Sequence, residues 1–123
     1  MLALLTTLAF AAAAPQVSPP AAAQDPAAIR CETGPVLRRY GGTNWIVYSC
    51  QDGASMVVLA YEGNPAAPFA FFLSPKDGGY AVEGEGTGDR KASDAAGAEL
   101  SRLSPAELAE LLAATRAAPA GSH

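Results

Sequence analysis

The sequence predicts an α+β fold: an antiparallel β-meander of four to five strands followed by two C-terminal helices packed on one face of the sheet. Three observations carry that expectation. Between Pro35 and Gly84, runs of aromatic and β-branched residues alternate with turn signals rich in Gly, Asn, Asp and Pro. Beyond Lys91 the apolar spacing becomes that of a helix, interrupted by a strong helix start at Ser104. Paired about Asp52-Gly53, the two central strands are apolar on both faces, so neither face suits open water.

The elements follow in order. Pro35–Tyr40 (PVLRRY) leads into a turn at Gly41-Gly42-Thr43-Asn44, and Trp45–Cys50 (WIVYSC) is the second strand. Asp52-Gly53 reads as a two-residue hairpin turn, because both residue types tolerate positive φ. That turn sets Gln51 opposite Ala54, with Ile46 facing Leu59 and Tyr48 facing Val57 on one face, and Val47 facing Val58 and Ser49 facing Met56 on the other. Ser55–Tyr61 is thus the third strand, Phe69–Leu73 (FAFFL) the fourth, Ser74–Gly78 a turn and Tyr80–Gly84 a short fifth strand. Lys91–Leu103 places Ala92, Ala96, Leu100 and Leu103 on one helical stripe. Ser104 then caps a second helix, with Pro105 at its first position and Glu107 completing a capping box. Leu108, Leu111, Leu112 and Thr115 share its face, and Arg116 suits the negative end of its dipole.

Ahead of this domain, Met1–Ala14 is an apolar run too short for an ordinary membrane-spanning helix, followed by small residues at Ala21-Ala22-Ala23. Residues 1–23 read as a secretory signal, although no Lys or Arg precedes the apolar run. The proline- and alanine-rich stretch after it has no apolar period, so 24–30 reads as a disordered leader. Residues 31–116 form the domain and 117–123 a flexible tail. The expected location is periplasmic or secreted. Cys31 and Cys50 are the only cysteines, and an even count in a small exported domain implies a disulfide. Eight basic against twelve acidic residues give a net charge of −4, without the clustered cations that a nucleic-acid partner requires.

The chemistry-bearing residues exclude more than they suggest. The one histidine, His123, lies in the expected tail, so no Ser–His or Cys–His pair and no His–Cys zinc site can be assembled in the domain. The glycine-rich run KDGGYAVEGEGTGDRK fails both phosphate-binding patterns. Gly84, Gly86 and Gly88 are followed by Asp89 where the dinucleotide fingerprint needs its last glycine, and Glu85 stands where a P-loop needs lysine. Two carboxylate readings remain. Glu83 and Glu85 share a strand face at about 7 Å, a separation used in glycoside hydrolysis. Glu83, Glu85 and Asp89 also offer oxygen ligands to calcium. No cofactor is expected.

Most of the aromatics sit at strand spacing. Trp45, Tyr48, Phe69, Phe71 and Phe72 form the candidate interface, because helices cover one sheet face and leave apolar area on the other. The runs NWIVYSCQDG and PFAFFLSPKDGGYAVEGEGTG resemble small uncharacterised exported bacterial proteins, over Cys31 to about Thr115. The resemblance implies export and a single compact domain, and no activity. The leading expectation is therefore a non-enzymatic binding domain, with a protein partner or a second copy on its apolar sheet face. A calcium-binding module and a small hydrolase using Glu83 and Glu85 are the alternatives.

Overall fold

The computed structural model describes residues 29–119. Strands β1 (Thr33–Tyr40), β2 (Thr43–Ser49), β3 (Met56–Ala60), β4 (Phe69–Lys76) and β5 (Gly79–Gly86) form one antiparallel sheet in sequence order. Helices α1 (Arg90–Ser101) and α2 (Pro105–Ala117) follow. The α+β meander with two C-terminal helices is thus present. The expected signal, residues 24–28 of the leader and residues 120–123 of the tail fall outside the described residues. Two boundaries move. Arg30, assigned to the leader, is held on Gln51, whose backbone N–H donates to the Arg30 carbonyl at 2.8 Å and whose side-chain oxygen accepts from the Arg30 N–H at 2.9 Å. The second helix also runs one residue into the expected tail.

The hairpin register between β2 and β3 is the expected one, from Trp45 opposite Ala60 to Ser49 opposite Met56. The turn that sets it is different. Asp52 does not adopt positive φ, whereas Gly53 does at 76°. Ladder pairing stops at Ser49, and Cys50–Ser55 is a wider connection closed by the Cys50 N–H on the Ser55 carbonyl (2.9 Å). Gln51 is taken by Arg30 instead of Ala54. The tight turns lie elsewhere: Gly41-Gly42 (φ 61° and 83°) joins Tyr40 to Thr43, and Asp77-Gly78 (φ 49° and 81°) joins Lys76 to Gly79. Both central residues at positive φ match the right-handed twist of the flanking strands. The fourth strand accordingly runs on through Pro75. There β3 has already ended opposite Leu73, so Pro75 interrupts no ladder on that side.

The core lies between the sheet and the helices. Trp45, Val47, Met56, Val58, Phe71 and Leu73 alternate inward on the strands and meet Ala92, Ala96 and Leu100 of α1 and Leu108 and Leu111 of α2. Trp45 is fully buried and its indole N–H is satisfied by Thr43 Oγ1 (2.9 Å) and the Tyr40 carbonyl (3.2 Å). Its ring packs edge-on to Phe69 and tilted against Phe71, with centroids 6.4 and 5.2 Å away. The second helix begins as expected: Ser104 Oγ accepts from the Glu107 N–H at 3.0 Å, and the Glu107 carboxylate accepts from the Ser104 N–H at 2.8 Å. The first helix starts at Arg90 and stops at Ser101, two residues short of Leu103, which still packs on the core from the interhelical loop.

The glycine run has a steric purpose. A Cβ on Gly88 would lie 2.0 Å from the Ala66 carbonyl oxygen, so only glycine lets the chain leave β5 against the β3–β4 loop. A Cβ on Gly84 would strike the rings of Phe69 and Phe71 at 2.7 and 2.8 Å. The second half of the run, from Gly84 to Gly88, is therefore the close-packed exit of β5 toward α1.

Candidate interaction surface

The alternation that buries Trp45, Val47 and Val58 sends their neighbours to the opposite face of the sheet. Strand register assembles that face in rows. One row runs Leu37, Ile46, Leu59, Ala70 and Glu85 from β1 to β5. The next runs Tyr48, Val57, Phe72 and Glu83 across β2 to β5. Leu37 is 53% exposed and Phe72 40%, and between them Ile46, Tyr48, Val57, Leu59 and Ala70 are half-buried. No helix among the described residues lies over these rows, since both helices pack on the other side. Tyr61, 41% exposed, extends the patch just past β3.

Charge borders the face unequally. On β1, Arg39 lies opposite Asn44 and donates to its Oδ1 at 3.0 Å and to the Gly42 carbonyl. On β5, at the other edge, Glu83 and Glu85 are both exposed. Lys76 stands two rows beyond Phe72, at the end of β4. Between Leu59 and Glu85, the small Ala70 leaves a shallow depression of about 540 Å³, which Pro68 and Gly86 help to line.

The sequence-predicted residues divide between the two faces. Trp45 and Phe71 are core residues under the helices and Phe69 packs beside them, so these three leave the candidate interface. Tyr48 and Phe72 remain on it. Leu37, Ile46, Val57 and Leu59 were missed, although the hairpin register already put Ile46, Leu59, Tyr48 and Val57 on one face. What the register could not say was which face the helices take. The bulkier side carries Trp45, Met56, Phe71 and Leu73, and it is the side they cover.

Glu83 and Glu85 stand on the open face at the β5 edge. Glu85 borders the depression by Ala70 and Glu83 does not. Asp89 precedes α1 around the corner, its N–H bonded to the Pro65 carbonyl at 2.9 Å. Among the described residues no three His, Cys, Asp or Glu side chains come together as a metal ligand set. His123 lies outside the described residues.

The end of the sheet beneath the open face is clamped. Cys31 and Cys50 form the expected disulfide, with S–S 2.05 Å. In the adjoining connection, the Asp52 carboxylate accepts from the N–H groups of Ala54 (2.9 Å) and Ser55 (2.8 Å) and from the Ser55 hydroxyl (2.7 Å). These bonds hold its carboxyl below the ordinary carboxylate range. The Tyr80 hydroxyl donates to the Ala54 carbonyl at 2.6 Å, and its pKa is raised by burial and then by the Asp52 charge. Arg116 of α2 donates to the Gly53 carbonyl at 2.7 Å. The β2–β3 connection thus ties the N-terminal arm, the β4–β5 hairpin and the end of α2 together.

No protein-family model, curated protein or solved structure matches the chain. Among the described residues no helix is long and apolar enough to cross a membrane.

Proposed function

We propose that this protein is an exported, non-enzymatic interaction domain that works by association through the open face of its sheet. The observation that carries the reading is the contiguous apolar patch from Leu37 to Phe72, on a sheet whose other face is filled by its own helices. A patch of this kind on a small domain marks an association surface. Export, to the periplasm or beyond the cell, is supported by the Cys31–Cys50 disulfide, which belongs to an oxidising compartment, and by the apolar run Met1–Ala14.

The first partner to test is a second copy. Light scattering across a concentration series should show the oxidised protein gaining mass toward a dimer. Phe72→Asp, which places a charge in the patch and leaves the core untouched, should stay monomeric. A wild-type protein that remains monomeric throughout, and binds no more apolar dye than Phe72→Asp, overturns the reading.

A further inference from the structure

Resting on that reading, we propose that the open faces of two copies pack in a two-fold dimer with β1 of each over β5 of the other. Aligned face-to-face packing of sheets offers two symmetric placements. With the two-fold axis across the strands, β1 lies over β1 and β5 over β5. This sets Glu83 and Glu85 of one copy against the same carboxylates of the other. With the axis along the strands, β1 lies over β5 and opposite charges meet at both rims. Arg39 then falls one side-chain row from Glu85 of the other copy, a step of about 7 Å that an extended arginine spans. In a single copy its guanidinium donates to Asn44 and Gly42 at that edge, and the ion pair forms by exchanging these exposed bonds for Glu85 of the other copy.

Most of the apolar rows fit the same placement, with Leu37 of one copy lying over Glu85 of the other at each rim. An axis along β3 exchanges β2 with β4. Ile46 of one copy then meets Ala70 of the other, where the face is hollowed by the depression of about 540 Å³. Tyr48 meets Phe72, an aromatic pair across the interface, and Val57 and Leu59 meet their own copies on the axis. Strand spacing and rise make the face about 24 Å by 20 Å, so roughly 1,000 Å² is buried by the pair. That area is at the lower bound for a specific interface, and the dimer should be concentration-dependent.

Charge reversal tests the geometry. Arg39 and Glu85 lie on opposite edges of one sheet, about 19 Å apart by strand spacing, so neither can compensate for the other within a chain. Arg39→Glu alone and Glu85→Arg alone should each weaken dimerisation roughly tenfold, because each puts like charges at both rims. The double variant Arg39→Glu/Glu85→Arg should recover wild-type dimerisation, as should an equimolar mixture of the two single variants, seen as heterodimer by native mass. Both effects should shrink in 0.5 M salt, where roughly 4 Å of screening length remains. Thermal melting of each variant separates loss of the fold from loss of the interface. If Phe72→Asp abolishes the dimer but neither the double variant nor the mixture restores it, this geometry is wrong and the face remains an association surface. If the wild-type protein never dimerises, self-association itself is wrong.

Discussion

Asp52 and Asp77 show how one residue in two settings yields different structure. Each begins an Asp-Gly pair between strands, and the sequence pattern favoured the first as the tight turn. At Asp77 the backbone does adopt positive φ. At Asp52 the carboxylate is engaged by Ala54 and Ser55, which builds a wider, side-chain-closed connection instead. The discriminating signal was Ser55, three residues on, whose N–H and hydroxyl both reach the carboxylate. The arrangement predicts a pH dependence. The folded pKa of Asp52 is depressed, so folding favours its ionised form. Its contribution is complete above the unfolded value near 3.8 and is lost as pH falls through the lower folded value. Asp52→Asn keeps an acceptor for the two N–H groups and removes the charge. The variant should be less stable than wild type above about pH 5, and urea melts should converge as the pH falls through the depressed folded value. A constant difference across that range would show that the charge is not what holds the connection.

At the scale of elements, much of the fold was legible because periodicity, capping and register each act locally. The capping box at Ser104, the Leu108–Leu111–Thr115 stripe and the β2–β3 register all follow from neighbouring residues. What joins one element to another was less legible. Ser49 and Thr115 lie far apart in sequence, yet both are buried, with their hydroxyl oxygens 2.7 Å apart where β2 meets α2. Thr115 Oγ1 is also 2.7 Å from the Leu112 carbonyl. A carbonyl only accepts and a hydroxyl has one proton, so Thr115 donates to Leu112 and Ser49 donates to Thr115. Thr115→Val therefore strands the Ser49 hydroxyl in the core and should cost about 1–3 kcal/mol. Adding Ser49→Ala removes the stranded group, and the double variant should be more stable than additivity of the two single changes predicts. Chemical denaturation of all four proteins closes that cycle, and strict additivity would mean that the two hydroxyls do not act as a pair.

For the whole molecule, the question is what keeps a sheet folded when its helices cover one face and no described residue covers the other. The helices stabilise the covered face, but β1 is an edge strand, and its first residue, Thr33, pairs with Ser49 before a register shift near Val36. The Cys31–Cys50 bond sits just outside that irregularity and closes a loop with a sequence separation of 19. Cross-linking a loop of that length removes unfolded-chain entropy worth about 3 kcal/mol. That is a large share of the ~5–15 kcal/mol that holds a domain folded. The same bond secures the strand that carries Leu37 and Arg39, so the open face depends on it as well. Replacing both cysteines, as Cys31→Ser with Cys50→Ser, should lower stability by about 3 kcal/mol. At roughly 4–8 °C per kcal/mol for a domain of this size, the melting temperature should fall on the order of 15 °C. Reducing agent should lower the wild-type protein by the same amount and leave the double variant unchanged. Because Arg30 and Gln51 keep two backbone-anchored hydrogen bonds after the change, the variant should still fold at low temperature, with β1 exchanging its amide protons fastest among the strands. A loss under about 1 kcal/mol would mean that β1 pairing and the Arg30–Gln51 clasp already restrain the arm without the disulfide.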